Sequence, residues 1–540
     1  MISFIKNYKL EILVFVFFLL TRVPDLGHDS FNTDVWKWKT RSYDFSSGVF
    51  NLRPELTIQK YHPGVTLMWL GTLGIKVANV YIENFSVDSV KSIFVLDAVQ
   101  KWFIVASIAL GMSAAFYVIR KLFGYEFALF SIALMSFEPF FVGLSRVMHL
   151  EGMMSVFMLT SALWLYYFLD SSDKRHRLFI SALFASLAIL TKTSALYMIP
   201  FTFLVLVTHS NIRFQKVKEL FKFSVKNFLL WLSAVITFSI LFWPALWSVP
   251  VDVFNVLYRG IFVIGVDTEH IQYYFGRLVE DPGYLFYIVV LLYKSSVYLL
   301  VGIALLFAVF KKLQTKEKRL IGYLLLFALF YTIELTLPSK KLDRYILPAM
   351  LALSLVVSFS LFYCLQKVKV PNKLKYLLFF IPAVALLTFI HPDYFSYYNP
   401  MYGGLKKGIF VIEPKWMIGT PEVVEFFKVE AEKEKFEFSD VDESFEELIN
   451  TKRVGRVLTV AFPEKYYTQI WPFFRELGGW AVIEDLGPFA KNTNYFVYPV
   501  WEDLSVKETR VDLVHYYVIK VRGVPIYNVY KRVIPQNTLF

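Results

Sequence analysis

The chain contains one cysteine, Cys364, which excludes an intrachain disulfide and any zinc site built from several thiolates. Charge is also scarce, because Asp, Glu, Lys and Arg make up 19% of the 540 residues, whereas soluble domains average about 25%. The sequence has no Walker loop, which disfavours a nucleotide-binding enzyme, and no GxSxG motif. What it has is apolar: 56% of residues are hydrophobic, 19% are aromatic and the mean hydropathy is +0.50. This composition excludes disorder and is typical of a polytopic membrane protein.

Eleven apolar segments approach the length of about 20 residues that a membrane-spanning helix needs. They lie near residues 10–21, 99–119, 126–144, 151–169, 178–191, 193–209, 228–247, 294–310, 320–336, 345–365 and 376–391. The net charge of +12 comes mostly from Lys and Arg in the short gaps between these segments, so we expect the lipid bilayer, and no nucleic acid, as a partner. These basic residues concentrate in alternate gaps. The positive-inside rule therefore predicts a multi-pass protein with a cytoplasmic N-terminus and an outer C-terminus. We expect this protein in the plasma (inner) membrane.

Three segments on the predicted outer side are too long to be simple connectors: residues 22–98, 248–293 and 392–540. We expect residues 1–391 to form a membrane domain of the α-helical polytopic class, with about 11 transmembrane helices. Within the first outer loop, residues 64–82 have the length and aromatic content of a helix that lies at the membrane surface.

Residues 392–540 have the composition of a soluble domain, and we expect them to form an extracytoplasmic C-terminal α/β domain. Residues 421–450 are rich in charge and indicate a helix, so the Asp-Val-Asp at 440–442 is interpreted as part of a solvated face rather than a metal site. Strands are predicted where β-branched and aromatic residues are enriched, at 456–461, 480–483, 495–500 and 516–530.

Ionisable side chains at a membrane edge are costly, and they commonly mark a site or a paired structural charge. Asp34 follows the first apolar segment, where its carboxylate could take a proton from an acceptor hydroxyl or be a solvated loop acid. His62 precedes the predicted surface helix, where it could neutralise an anionic head group near the helix N-terminus or stand exposed in a turn.

Two further clusters lie between predicted spans. Glu151 starts a predicted helix, where a carboxylate also complements the helix dipole, but Arg146 and His149 beside it favour a charged constellation. The second cluster, residues 339–345, carries three cations on the predicted outer side, against the positive-inside bias. A phosphate or diphosphate lipid head group would compensate these cations, and Asp343 could orient or pair with Arg344.

These residues resemble motifs of the polytopic GT-C glycosyltransferases of the dolichyl-phosphate-mannose protein O-mannosyltransferase type (glycosyltransferase family 39-like), whose bacterial relatives include the lipid A aminoarabinose transferases. The resemblance covers residues 1 to about 410, and residues 410–540 show no family resemblance. The matching pieces are Asn32-Thr33-Asp34, residues 61–69, 146–152, 191–196, 242–247, 280–283 and 339–348, and Tyr397-Tyr398-Asn399-Pro400.

The resemblance implies a role for each matching position. Asp34 corresponds to the presumed general base, and Glu151 to a supporting carboxylate that is commonly Asp in relatives. Cationic and polar side chains would hold the donor phosphate, namely His62, Arg146, Lys192, Lys340, Lys341 and Arg344. His149, Asp343 and Tyr345 would support them.

The resemblance also implies an inverting hexosyl- or pentosyltransferase of the cell envelope. It would move a sugar from a polyprenyl-phosphate donor to a hydroxyl of a protein, lipid or glycan on the outer face of the membrane. No cofactor beyond the lipid-phosphate sugar, and no divalent metal, is expected. The alternative is a polytopic transporter or flippase of lipid-linked substrates, which predicts charged or broken helices near the bilayer midplane and internal repeats. A structural or assembly protein is the third hypothesis, and it leaves the outer charge clusters without a purpose.

Overall fold

The computed structural model describes residues 2–170, 174–213, 217–263, 271–451, 453, 455–484, 493–502 and 512–532. Residues 264–270 of the predicted second outer loop therefore lie outside the described residues. The helices of the first part of the chain are α1 (Ile2–Leu20), α2 (Val35–Phe50), α3 (Val65–Phe85), α4 (Ser89–Phe123), α5 (Tyr125–Ser136), α6 (Pro139–Ser145), α7 (Glu151–Asp170), α8 (Arg175–Thr191), α9 (Met198–Arg213) and α10 (Val217–Phe242).

The second part begins with two short helices and a small antiparallel β-ribbon, and continues with apolar helices. Its elements are α11 (Ala245–Ser248), α12 (Pro250–Phe262), β1 (Gln272–Tyr274), β2 (Arg277–Val279), α13 (Phe286–Lys294), α14 (Val297–Val309), α15 (Thr315–Thr336), α16 (Leu347–Gln366) and α17 (Asn372–Ile390). All eleven apolar segments predicted from the sequence coincide with these helices, which confirms the polytopic helical class.

Within the described part of the chain, seven helices are long and apolar enough to cross a membrane, and nine spans result if two bent helix pairs each count as one. The seven comprise α3, α4, α7, α15, α16, α17 and residues 221–242 of α10. The bent pairs are α5 with α6, at 74°, and α13 with α14, at 111°. The expected number of about 11 spans differs in two ways. Helices α8 and α9, with 17 and 16 residues, are shorter than a full span, and α1, whose 19 residues include Lys6, Lys9 and Glu11, is not among the nine. Helix α3, expected at the membrane surface, is long and apolar enough to be counted.

Helices α7 and α16 form the centre of the bundle. In their apolar stretches, 94% and 83% of the residues are buried. Each begins at a charged or polar segment of the chain, with Glu151 as the first residue of α7 and Arg344 in the turn before α16. Side chains at the ends of such fully packed helices are held in place more precisely than side chains on free loops.

Helix α3 packs against the N-terminal half of α4, and the two form a hairpin. Gln100 in α4 donates a hydrogen bond from Nε2 to the carbonyl oxygen of Gly71 at 3.1 Å. A Cβ at Gly74 would lie 2.5 Å from the Gln100 side chain, so only glycine permits this approach. The start of α4 touches the C-terminal domain, where Ser89 donates to Asp442 at 2.9 Å. Helix α3 thus packs beside the end of α4 that contacts the C-terminal domain. The position of α3 at the membrane surface stays a prediction.

The C-terminal part of the chain contains a five-stranded mixed sheet. Its elements are α18 (Gly404–Val411), α19 (Thr420–Glu434), α20 (Phe445–Asn450), β3 (Thr459–Phe462), α21 (Glu464–Glu476), β4 (Trp480–Ile483), β5 (Tyr495–Pro499), β6 (Leu513–Val521) and β7 (Val524–Arg532). The strand order is β4-β3-β5-β7-β6, with β3 parallel to both neighbours and β7 antiparallel to both of its own. The predicted α/β class is confirmed, and the predicted strand at 516–530 is a hairpin that turns at Arg522 and Gly523, both with positive φ.

The segment between α17 and the sheet packs back into the membrane bundle. Asn399 and Tyr397 donate hydrogen bonds to the carbonyl oxygen of Ser295, at 2.8 and 3.2 Å. Ser295 lies at the break between α13 and α14, where a carbonyl loses its helical partner. Glu138, from the other helix break, accepts from the backbone N–H and the hydroxyl of Ser296. Protein groups therefore pair with backbone groups that the two helix breaks leave without helical partners, as non-helical backbone within a membrane requires.

Candidate active site and donor groove

Five segments that are far apart in the sequence meet at one site. Asp34 is the residue immediately before α2, and Glu151 is the first residue of α7. Lys192 follows the last residue of α8, Arg344 lies in the turn before α16, and Trp416 belongs to the segment after α18. Four of these five residues stand at a helix terminus or in an adjoining turn, so the ends of the packed bundle build the site.

A continuous line of ionic contacts crosses the site. His149 faces Asp34 through Nε2, 3.5 Å from Oδ2, and contacts Glu151 Oε2 through Nδ1. The other oxygen of Glu151 accepts a hydrogen bond from Lys192 Nζ at 2.8 Å and lies 3.5 Å from Arg344 Nε. The Glu151 side chain is 1% exposed, whereas that of Asp34 is 30% exposed. Asp34 is therefore the carboxylate of this line that an incoming substrate can reach.

Neighbouring groups hold the Asp34 carboxylate in place. Asn32 accepts the Asp34 backbone N–H at 2.9 Å and donates from Nδ2 to the carbonyl oxygen of Met148. Burial alone would raise the pKa of Asp34. The hydrogen bond and the charge of His149, together with the charges of Arg344 and Lys37, hold this pKa well below its usual value. Asp34 is thus ionised throughout the physiological pH range.

A polar pocket of about 270 Å³ lies on the Lys192 side of the site. Its charged and aromatic lining includes Tyr61, His62, Lys192, Lys340 and Tyr345. Lys192 Nζ stands 3.7 Å from the centre of the Tyr345 ring, which holds the ammonium between a carboxylate and an aromatic face. Cations in a confined pocket at the edge of a membrane protein are suited to bind a phosphate group.

An apolar groove of about 570 Å³ continues from this pocket between α9 and α15. Leu196 and Glu334 line both the pocket and the groove, so the two cavities share a wall. The rest of the groove consists of Tyr197, Pro200, Phe201, Leu204, Phe330, Ile333 and Leu337. A polar head pocket that opens into an apolar groove matches the amphipathic form of a phospholipid-like ligand.

His62 lies in the polar pocket as a neutral ring. Burial, reinforced by the charge of Lys192, lowers the pKa of His62 to about 3. Its Nδ1 lies 3.2 Å from the hydroxyl of Thr193. A neutral ring can stabilise an anion only through a hydrogen bond. This interaction is weaker than the charge neutralisation that the sequence led us to expect from His62.

The structure does not bring Arg146 or the Lys341 ammonium to this pocket. Arg146 donates to the carbonyl oxygens of Arg22 and Pro24 and pairs with Asp29 at 3.2 Å. Lys341 Nζ donates to Asp281 at 2.6 Å and to the carbonyl oxygen of Pro338. Arg146 is held by buried groups and Lys341 by the half-exposed Asp281 and a backbone carbonyl, so the structure gives both cations protein partners away from the pocket expected to hold the phosphate.

Arg344, also expected to hold the phosphate, lies beside Glu151 and does not line the polar pocket. The remaining predicted residues lie at the site. Lys340 lines the polar pocket together with Lys192. Asp343 accepts the backbone N–H of Arg344 at 2.8 Å, so it orients the Arg344 backbone and not the guanidinium. His149 contacts both Asp34 and Glu151. The Tyr345 ring lies under the Lys192 ammonium.

A buried ionic layer beneath the site fixes the loop that bears Asp34. Lys101 Nζ lies 2.8 Å from Asp29 and 2.6 Å from Asp97, and Lys39 lies 2.9 Å from the other oxygen of Asp97. The Lys101 and Asp97 side chains are 0% exposed. Buried charges are tolerated only when they are paired, so the four groups stabilise the structure as a set.

Lys101→Met is expected to destabilise the protein by about 3–5 kcal/mol, because it leaves Asp29 and Asp97 buried without their shared cation. Chemical unfolding in detergent measures the change. Lys91→Met is the matched control, since Lys91 lies on the same helix and pairs with Asp88 in solvent. Equal losses in the two variants would contradict the structural role of the layer.

Two residues of the site were not predicted from the sequence. Trp416 stacks edge to face on His149, with ring centres 5.1 Å apart, and lies under the Arg344 guanidinium at 5.3 Å. Its segment falls outside the family resemblance, so no sequence signal pointed to it. Glu334 could have been predicted from the sequence, because a carboxylate inside an apolar segment commonly marks a functional position.

Among the described residues, no group of three or more His, Cys, Asp and Glu side chains is arranged to hold a metal ion. That the chemistry needs no divalent metal stays a prediction.

Residues 94–247 match the family model described as dolichyl-phosphate-mannose-protein mannosyltransferase. The matched stretch contains Arg146, His149, Glu151 and Lys192. On a polytopic helical fold with a C-terminal sheet domain, this match confirms for residues 94–247 the GT-C resemblance drawn from the sequence motifs. Among curated proteins, none matches the chain.

Several solved structures are similar to the chain in their overall course. ArnT from Cupriavidus metallidurans bound to undecaprenyl phosphate is 12% identical, with 96% of this chain and 97% of that chain covered and a TM-score of 0.48. The apo oligosaccharyltransferase of Archaeoglobus fulgidus is 12% identical, with 98% and 75% covered and a TM-score of 0.43.

Proposed function

We propose that the protein transfers a sugar from a polyprenyl-phosphate donor to an acceptor hydroxyl, with inversion at the anomeric carbon. The observation that carries this proposal is the polar pocket of Lys192 and Lys340, which opens into the apolar groove between α9 and α15. The phosphate of the donor would occupy the pocket and its isoprenoid chain the groove. The donor sugar would then lie toward Glu151 and Asp34.

The cations support the departure of the phosphate. When the bond between the anomeric carbon and the phosphate oxygen breaks, negative charge builds on the leaving group. Glu151 and Tyr345 hold the Lys192 ammonium beside the pocket, where it is positioned to stabilise this charge. Transfer therefore needs no nucleotide, because the lipid phosphate itself is the activated leaving group.

A second cavity supports an approach of the acceptor from the other side. It has a volume of about 870 Å³ and is bordered by Thr33, Leu342, Arg344 and Trp416, together with the β-ribbon and the C-terminal domain. Thr33 is the neighbour of Asp34, so an acceptor hydroxyl in this cavity can reach the partly exposed carboxylate. Attack from the side opposite the leaving phosphate inverts the anomeric centre, and a single base is sufficient for it.

The proposal is tested with purified protein in lipid nanodiscs and a panel of radiolabelled donors. Polyprenyl-phosphate sugars are compared with nucleotide sugars, and a membrane extract supplies protein, lipid and glycan acceptors. We expect label to move to an acceptor from a lipid-phosphate donor only. Transfer from nucleotide sugars alone, or flipping of an intact lipid-linked sugar without bond cleavage, would contradict the proposal, and the second result would favour the transporter hypothesis.

The proposal places the site on the outer face of the plasma membrane, with the N-terminus inside. Cys364→Ser gives a chain without cysteine, in which single positions can be labelled. Glu476→Cys, in the C-terminal domain, is expected to react in intact cells with a membrane-impermeant maleimide. Lys312→Cys, in the loop before α15, is expected to react only after permeabilisation. The reverse pattern would contradict this orientation.

Ile333→Trp is expected to raise the donor KM by about tenfold with little change in kcat, because the larger ring fills the apolar groove without reaching the reacting atoms. Steady-state kinetics with donors of increasing chain length measure the effect. Ile236→Trp is the matched control, since Ile236 is similarly exposed on α10 and lies away from the groove. If both variants behave alike, the groove does not hold the donor chain.

A further inference from the structure

Each ring nitrogen of His149 faces a carboxylate. Nε2 lies 3.5 Å from Asp34 Oδ2, and Nδ1 contacts Glu151 Oε2. A neutral imidazole donates from one nitrogen only, so two facing carboxylates are both satisfied only by the imidazolium form. The His149 side chain is 6% exposed and packs on Trp416, which limits the access of water to the ring. His149 therefore stands between the reachable carboxylate and the buried one, in contact with both.

Glu151 connects this histidine to the phosphate pocket. It is shared by three cationic groups, His149, Lys192 and Arg344, which approach from three different segments. Lys192 also lines the pocket proposed for the donor phosphate. Glu151 and a bound phosphate therefore compete for the same ammonium group.

Other charged and titratable groups surround this line and set its balance. Those on the Asp34 side are Lys37 and Arg41. Those on the Lys192 side are Tyr61, His62, Glu334, Lys340 and Tyr345. His62 is neutral, and the remaining cations are constant in charge over the physiological range. Among these described groups, His149 is the one that contacts both carboxylates, so a proton can pass between its ring and either of them.

Building on the proposed function, we propose that His149 couples the base to the phosphate pocket, so that the arrival of a proton at Asp34 drives the Nδ1 proton of His149 onto Glu151 and releases Lys192 to the leaving phosphate. Loss of charge on Asp34 removes one of the two counter-charges that hold the imidazolium. The contact between Nδ1 and Glu151 then provides the direct path for its proton.

The step balances in atoms and charge. The hydroxyl oxygen bonds to the anomeric carbon, its proton goes to Asp34, and the electron pair of the broken bond stays with the phosphate oxygen. The Nδ1 proton of His149 goes to Glu151, which leaves a neutral imidazole and two neutral carboxyl groups. The phosphate gains one negative charge, and it takes the Lys192 ammonium that Glu151 no longer holds.

Infrared difference spectroscopy tests the coupling without turnover. Addition of a polyprenyl monophosphate to the protein in nanodiscs is expected to produce the carbonyl band of a protonated carboxyl group. The band should be absent in Glu151→Gln and in His149→Gln. A bound lipid that produces no band, or a band that both variants retain, would overturn the coupling even if the protein transfers sugar. Failure of transfer with every donor would instead count against the proposed function.

The pH profile of the reaction gives a second test, because a residue that only packs in the site would not shift this profile. His149→Gln is expected to lower kcat by about a hundredfold and to shift the acidic limb of the pH profile upward, since the pKa of Asp34 rises when its cationic partner is lost. The losses in His149→Gln and Glu151→Gln should not add in the double variant. His391→Gln is the matched control, because this ring also joins a carboxylate, that of Asp25, to Tyr394, outside the site. Additive losses with an unmoved acidic limb would overturn the proposal.

Discussion

Asp34→Asn is expected to lower the rate of sugar transfer by about 10²–10⁴-fold, while the donor still binds. The amide has the size of the carboxylate and preserves the contact to the Asp34 backbone N–H from Asn32, but it cannot take a proton from the acceptor hydroxyl. The partial exposure of Asp34 beside the larger cavity makes it the carboxylate within reach of an acceptor. Single-turnover transfer and donor binding, measured on the same nanodisc sample, check this result.

The matched control for this variant is Asp25→Asn. Asp25 belongs to the same loop, and its carboxylate pairs with His391 in a solvent-exposed position. The control is expected to transfer sugar at a rate close to that of the unaltered protein. If Asp34→Asn keeps its turnover, or if the two variants lose it equally, Asp34 is not the base.

Lys192→Met is expected to reduce kcat/KM for the donor by about 10²–10³-fold. The side chain is 6% exposed, lies 2.8 Å from Glu151 and stands over the Tyr345 ring, so its ammonium is fixed where the phosphate would leave. Methionine fills the same space without the charge. Because the substitution also leaves Glu151 with fewer cationic partners, thermal unfolding of the variant is measured in parallel to separate folding from catalysis.

Lys340→Met separates the role of Lys192 from the general charge of the pocket. Lys340 lines the same pocket and is only partly buried, so its interaction with a phosphate is more strongly screened by water. We expect a smaller loss for this variant, mainly in donor KM. A larger loss in Lys340→Met than in Lys192→Met would show that the phosphate is held elsewhere in the pocket.

Local patterns predicted the fold class well. All eleven segments predicted from apolar length are helical, and the enrichment in β-branched and aromatic residues located the strands of the C-terminal sheet. The number of spans was less accurate, since the length of an apolar run does not show whether the helix bends, as it does at Glu138 and at Ser295. The apolar composition of α3 likewise could not show that the helix packs along the N-terminal half of α4.

The site was predictable where a chemical signal lay within a short stretch of sequence. Asp34, Glu151, Lys192 and Arg344 each stand out as charges beside an apolar segment, and the structure brings all four together. Arg146 has the same local signature, yet it is used by Asp29 and by two backbone carbonyls. A sequence shows that a charge is present at the membrane edge, but only the tertiary structure shows which partner neutralises it.

Distant contacts explain what the sequence could not reveal. The ionic layer joins Asp29 to Lys101, which is 72 residues away in the sequence. Trp416 reaches His149 from a segment without family resemblance. The apolar groove is formed by two helices whose apolar faces look like any other lipid-facing surface until they are placed side by side.

The central claim, that a sugar leaves a lipid phosphate by cleavage of its bond to the anomeric carbon, is tested most directly with an isotope. A polyprenyl-phosphate sugar carrying ¹⁸O in the oxygen between the anomeric carbon and phosphorus is incubated with the protein in nanodiscs, and both products are analysed by mass spectrometry. We predict that all of the ¹⁸O appears in the polyprenyl monophosphate and none in the glycosylated acceptor. Recovery of ¹⁸O with the transferred sugar, or intact donor after incubation with every acceptor fraction, would contradict the claim.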